Sequence, residues 1–240
     1  MNNINSNGMM KVRVISRSDE PFQNRSQAGL LLAKELSDLK GKNAVVLGIP
    51  RGGILVAQSL AQEIGGELDI VISRKLGAPG QAELAIGAMA ENGEVYLNQY
   101  VLDELSVSDS YIEREKEVQM EEIKRRSRLI RNVLPRAPLA GRLVVLTDDG
   151  VATGSTMQAA IWTVRREKPQ KLVAAVPVAS EEAVMRLAGD VDELVCLRMP
   201  SSFYAVGQFF RQFSQVTDEE VLEILKLEQI RRTRNLPRAS

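Results

Sequence analysis

The chain has 240 residues, with 31 Lys and Arg against 31 Asp and Glu, so its formal net charge is zero. A generic nucleic-acid coat or a polybasic membrane binder draws its affinity from excess positive charge, and this balance argues against both. A single cysteine, Cys196, and no histidine at all exclude an intrachain disulfide framework, Cys-cluster or His-ligated zinc, and Ser-His-Asp or Cys-His catalysis. Chemistry must then use carboxylates, Lys, Arg, hydroxyls, backbone amides or a bound metal. No apolar run approaches the roughly 20 residues of a membrane span. Residues 1–10 are Asn-rich without an apolar core, so no secretory signal and a cytoplasmic location are expected.

In chain order, residues 1–20 are polar and expected to be a loosely ordered N-terminus. Leu31, Leu32, Leu36 and Leu39 recur at helical spacing and predict a helix over 28–39. Residues 44–49 form a short apolar run, a buried strand, broken by Pro50, Arg51, Gly52 and Gly53. A helix over 54–64 ends at Gly65 and Gly66, and 68–73 is a second buried strand. A loop with Gly77, Pro79 and Gly80 follows. Residues 85–90 and 94–98 flank Asn92-Gly93 and predict a hairpin. Then come a long charged helix over 111–133, a strand over 143–147, a helix over 156–167, a strand over 172–178, a helix over 181–187, a strand over 194–197 and a helix over 217–230. Residues 231–240 read as a frayed basic tail. Strands alternating with helices predict an α/β domain over 21–230 with a mainly parallel sheet. Ligands of such sheets bind beyond the carboxyl ends of the strands. That rule selects the loops after Ile49, Ser73, Thr147 and Leu197.

The loop after Thr147 reads Asp148, Asp149, Gly150, Val151, Ala152, Thr153, Gly154, Ser155, Thr156 and opens a helix. Small residues let backbone approach a ligand closely, and a helix start aims free N–H groups and partial positive charge at an anion. Ser155 and Thr156 add hydroxyl donors. The loop lacks the lysine of a Walker motif and the glycine spacing of a Rossmann turn. Two adjacent carboxylates beside a phosphate site suit ribose hydroxyls or a phosphate-bound metal. An acidic capping pair on an ordinary strand-to-helix turn is the plainer alternative.

This nonamer resembles the phosphoribosyl pyrophosphate (PRPP) signature of type I phosphoribosyltransferases: an apolar strand, two acidic residues, three residues, then Thr-Gly-x-Thr. The resemblance covers about residues 25–218. It implies a type I phosphoribosyltransferase-like α/β fold with a small C-terminal hood, here about residues 198–216. It implies that Asp148 and Asp149 hold the ribose hydroxyls and a Mg²⁺ ion, and that Ala152 to Thr156 cradle the 5-phosphate. Arg51, Gly52 and Gly53 match the family's pyrophosphate loop, and residues 48–65 look most like adenine-type enzymes; a helix-entry turn with a solvated arginine is the alternative. Arg74 and Lys75, on a Gly/Pro-rich segment, resemble a mobile catalytic loop, with a solvated basic turn as the alternative. Glu83 is placed with them as a candidate contact to the acceptor base, with Glu91 as its rival and a solvated glutamate as the plain reading of either.

The chain has ten aromatic residues, and five fall between 203 and 213. The segment resembles the hood of hypoxanthine–guanine enzymes, which puts Tyr204 and Val206 against the acceptor, while Phe209, Phe210 and Phe213 read as hood core. Ala152 stands where 6-oxopurine enzymes carry a further Asp, and the lysine they use for the 6-oxo group has no counterpart over 176–180. The resemblance therefore implies transfer of a phosphoribosyl group from PRPP to a nucleobase-like acceptor with release of pyrophosphate, as in purine salvage. A homodimer is expected. The alternative is a PRPP-sensing regulator with little turnover. The charged helix runs from acidic to basic, which complements its dipole; a nucleic-acid contact at its basic end is the rival reading. Fewer than 30 residues precede the predicted helix over 28–39, so no added DNA-binding domain is expected.

Overall fold

In the computed structural model, described over residues 2–4 and 11–235, seven strands form one sheet and three form a second. The strands are β1 (Asn2–Ile4), β2 (Lys11–Ser16), β3 (Val45–Gly48), β4 (Glu67–Ile70), β5 (Ser73–Ala78), β6 (Gln81–Ala90), β7 (Val95–Leu97), β8 (Leu143–Thr147), β9 (Lys171–Val178) and β10 (Glu193–Arg198). The helices are α1 (Arg25–Glu35), α2 (Gly53–Ile64), α3 (Gln99–Glu104), α4 (Asp109–Arg131), α5 (Ser155–Arg166), α6 (Glu181–Ala188) and α7 (Asp218–Asn235).

The large sheet has the order β1-β2-β10-β9-β8-β3-β4. Six strands are parallel and β1 is an antiparallel edge. The fold is thus the expected α/β arrangement of a parallel sheet flanked by helices. Its central strands β3, β8 and β9 are nearly continuous apolar runs because both faces are covered. Val46, Val145, Val173 and Val195 face a core with α1, α2 and α7. Their neighbours Val45, Leu47, Val144, Leu146, Ala174 and Cys196 face the opposite core with α5 and α6. The sheet β5-β6-β7 is antiparallel; it leans on α5 through Tyr96 and Trp162, whose rings lie 4.5 Å apart.

Three expectations are corrected. Residues 11–16 of the supposed loose N-terminus form β2, in parallel register with β10, Val12 opposite Leu194 and Val14 opposite Cys196. Its charged residue Arg13 is held by Glu35 at 2.6 Å and Glu193 at 3.4 Å. Arg74 and Lys75 lie on a strand rather than a loop, opposite Met89 and Ala88. The supposed frayed tail is helical through Asn235, because Arg231 and Arg232 pair with the buried Glu228. Residues 236–240 lie outside the described residues. Helix α3 was not anticipated; Asn98 caps it. The segment after β10 contains one 3-10 turn, Val206–Phe209.

Candidate active site

Strands β3 and β8 are neighbours in register, with Gly48 opposite Thr147. Their carboxyl-end loops therefore meet. The loop after β3 passes so close to the acidic pair that a Cβ on Gly52 would overlap Asp149 Oδ2, and one on Gly53 would lie 2.9 Å from Asp148 Oδ1. A side chain at either position would displace the acidic pair. Between them and β3, the peptide bond Pro50–Arg51 is cis. Arg51 is exposed and lines a small cleft with Arg126, Leu129, Asp218 and Leu222.

The loop after β8 is stitched down by its neighbours. Val151 donates to Val178 O at 2.9 Å and accepts from Ser180 N at 3.0 Å, while Ser180 Oγ donates to Ala152 O at 2.5 Å. Gly154 takes a left-handed φ of 83° as the cap of α5. Beyond it, Ser155 is buried and Thr156 exposed, while Ala152 and Thr153 are exposed on the approach. Thr153 and Ser155 share a hydroxyl contact at 3.2 Å. The first-turn N–H groups of α5 lack helical partners, as at any helix start, and that of Ser155 donates to Thr153 Oγ1 at 3.4 Å.

Asp149 donates its amide to Asp148 Oδ1 at 2.8 Å. Burial first, then the charge of Asp149, push the Asp148 carboxyl well above its ordinary value. Among the described residues no group of three or more His, Cys, Asp or Glu side chains could hold a metal ion. Mg²⁺ asks for less: one or two carboxylates plus substrate phosphates commonly suffice. The hard oxygen donors of Asp148 and Asp149, set beside the glycine loop, fit that pattern.

Lys75 reaches this loop from β5, its Nζ 3.5 Å from Ser155 Oγ. Arg74 turns to α4 and donates to Gln119 at 2.9 Å. Both line a cavity of about 230 Å³ together with Gly77, Glu115, Gln119 and Thr156. Val206 lies over Gly150, where an added Cβ would sit 2.5 Å from Val206 Cγ1. Tyr204 is 87% exposed. Phe209 and Phe210 are buried, but in the main core with α1, α2 and α7 rather than in a core of the hood's own, and Phe213, expected there too, is 37% exposed. The side chain of Glu83 lies outside the described residues.

Glu91, the rival of Glu83, does not belong to this site. It accepts from Arg131 at 2.7 and 2.8 Å and from Ser127 at 2.7 Å, beside the buried Asp69, which Arg131 also binds at 2.7 Å. Cys196 is equally remote from chemistry: burial pushes its thiol up to about 12.

One residue of the site was missed. Arg25, only 7% exposed, donates to Asp149 Oδ2 at 2.8 Å. It carries no motif. The available signal was electrostatic: a cation in the first turn of α1 opposes the helix dipole and needs a partner elsewhere.

The geometry defines an α/β protein with a strand-to-helix loop that carries an acidic pair and a second glycine loop, converging at one end of a parallel sheet. The chain belongs to the phosphoribosyl transferase domain family, which matches residues 23–213. Two Mycobacterium tuberculosis proteins, from strains CDC 1551 / Oshkosh and ATCC 25618 / H37Rv, each named "Putative phosphoribosyl transferase", are 43% identical over 204 residues, 85% of this chain and 46% of theirs. The chain therefore spans about half the length of these curated relatives. The crystal structure of TT1426 from Thermus thermophilus is 48% identical with a TM-score of 0.82, covering 86% of this chain and 98% of that one. No helix among the described residues is long and apolar enough to cross a membrane.

Proposed function

We propose that this protein transfers the 5-phosphoribosyl group of PRPP to a nucleobase-like acceptor and releases pyrophosphate. The observation that carries this reading is the contact of Gly52 and Gly53 with Asp149 and Asp148, which merges a candidate pyrophosphate loop with a candidate sugar-phosphate loop. In this reading the α5 N-terminus, with Thr153, Ser155 and Thr156, holds the 5-phosphate. Asp149 accepts from the ribose hydroxyls, with Asp148 beside it. Arg51 and the backbone of Gly52 and Gly53 meet the pyrophosphate. The C1–oxygen bond to pyrophosphate breaks through an oxocarbenium-like transition state, a nitrogen of the acceptor forms the new bond to C1, and the proton of that nitrogen passes to the departing pyrophosphate or to water. Lys75 adds positive charge where the leaving group gains negative charge. Mg²⁺, held by Asp148 and Asp149 with the substrate, would supply further charge neutralisation. Val206 and the exposed Tyr204 are assigned to the acceptor side.

The basic end of α4 gives little support to nucleic-acid binding. Arg131 is engaged by Asp69 and Glu91, Arg125 and Arg126 by Glu122, and Lys124 by Glu121. The test is a panel of free bases offered with PRPP and Mg²⁺, read by pyrophosphate release. Adenine comes first, because Ala152 and the residue 48–65 loop both look adenine-type. Base-dependent release supports transfer. PRPP binding with no release for any base would favour the sensing reading instead.

A further inference from the structure

We propose that Arg25 is a positioning residue that ties residues 203–216 of the hood to the Asp149 carboxylate, so that the two are set by one side chain. The proposal rests on the reading of Asp149 as the ribose-side carboxylate and goes beyond it.

Three groups hold the Arg25 guanidinium, and they come from distant parts of the chain. Its Nε donates to Asp149 Oδ2 at 2.8 Å, its Nη1 donates to Ser214 O at 2.9 Å, and its central carbon lies 3.8 Å from the centre of the Phe213 ring. The planar, forked arginine is suited to serve a carboxylate, a carbonyl and an aromatic face together; a lysine has one point charge for all three.

The surroundings close a ring through this side chain. Arg25 Nε would lie 3.1 Å from a Cβ on Gly52, so the glycine loop also makes room for the Arg25–Asp149 pair. The backbone before Arg25 is zipped to the hood: Phe22 N donates to Phe209 O, Arg211 N to Phe22 O and Gln212 N to Gln23 O, at 2.8, 2.8 and 3.0 Å. On the far side, an added Cβ at Gly207 would lie 2.9 Å from Phe213, and Val206 packs over Gly150. Asp149, Arg25, Phe213, Gly207, Val206 and Gly150 thus form a circuit from the acidic pair to the hood and back. Asp149 is the only carboxylate in it. Loss of its charge, or of the fork at Arg25, should loosen a segment more than 50 residues away in sequence.

The test uses Arg25→Lys and Asp149→Asn in the whole protein without ligand, read by amide hydrogen exchange. Both variants are expected to speed exchange across 203–216 by about fivefold or more, while α6 is unchanged. In kinetics, Arg25→Lys, which keeps a positive charge for Asp149 but not the fork that reaches Ser214 O and the Phe213 ring, is expected to raise the acceptor KM about tenfold while PRPP affinity by calorimetry stays within about threefold. Phe213→Leu should reproduce that split, since it removes the aromatic face and leaves the ion pair. Unchanged exchange over 203–216 in both variants overturns the proposal. Faster exchange spread evenly over the chain also overturns it, because Arg25 would then be a general structural residue. If no base supports turnover, the reading of the site as a transferase fails, and the exchange result still decides the role of Arg25.

Discussion

Asp149 carries two duties in this structure, and they give Asp149→Asn a double signature. The variant loses a charge-assisted acceptor at the proposed ribose site, and it leaves Arg25 buried without its counter-charge. PRPP affinity is expected to fall about tenfold or more by calorimetry, and the melting temperature to drop with it. Unchanged PRPP affinity would contradict the assignment. Tyr204 is the opposite case. Because it is 87% exposed, Tyr204→Ala should leave the melting temperature unchanged, raise the acceptor KM and spare PRPP affinity; Tyr204→Phe keeps the stacking face and should be nearly silent. A Tyr204→Ala protein that fails to fold would end the base-stacking role. At this scale the acidic pair was legible because two carboxylates before small residues and a helix start form an unusual string. Arg25 was not, since its partners at 149 and 213–214 are brought to it only by the folded chain.

Among the elements, the β5–β6 hairpin departs most from expectation. Gly77, Pro79 and Gly80 read as a loop, yet the turn is confined to Pro79 and Gly80, and the ladder absorbs Gly77 through register shifts on either side of it. Lys75 meets Ser155 from this strand, and Arg74 is held on α4. Arg74→Ala with Lys75→Ala should lower kcat about tenfold or more while changing PRPP affinity by less than about threefold, if these cations act mainly on the departing charge. Calorimetry beside steady-state kinetics makes the comparison; a large loss of affinity with kcat intact would reduce them to ground-state anchors. Behind the hairpin, the Glu91–Arg131–Asp69 cluster fixes α4. Burial raises the Glu91 carboxyl, but Arg131 by hydrogen bond and charge, with Ser127 and Arg136, outweighs it and holds the group below its usual value. Stability from that charge is therefore present above the ordinary glutamate value and lost as pH falls through the lowered one. Glu91→Gln should cost about 2 kcal/mol at neutral pH, by removing one of the two carboxylates that hold Arg131 while Asp69 keeps the other. In urea unfolding, the deficit should shrink in acid. A deficit that persists undiminished in strong acid would contradict the ion-pair account.

At the scale of the molecule, the sheet dictates where the site can be. Strands covered on both faces leave only their ends open, and β3 beside β8 brings two sequence-distant glycine-containing loops together at the carboxyl end. The apolar strands were legible as continuous runs for the same reason. Strand β2 was not, because Val12 and Val14 alternate with charged Lys11 and Arg13 near a polar terminus, and only pairing with β10 makes them a strand. The charges of α4 were legible as dipole-complementing, but not the burial of Arg131 beneath it. The most direct measurement of the central claim is a calorimetric titration of PRPP with Mg²⁺ into the wild-type protein, repeated with pyrophosphate as competitor. The account predicts saturable binding at one site per chain, displaced by pyrophosphate. Folded protein that gives no saturable signal at millimolar PRPP would contradict it.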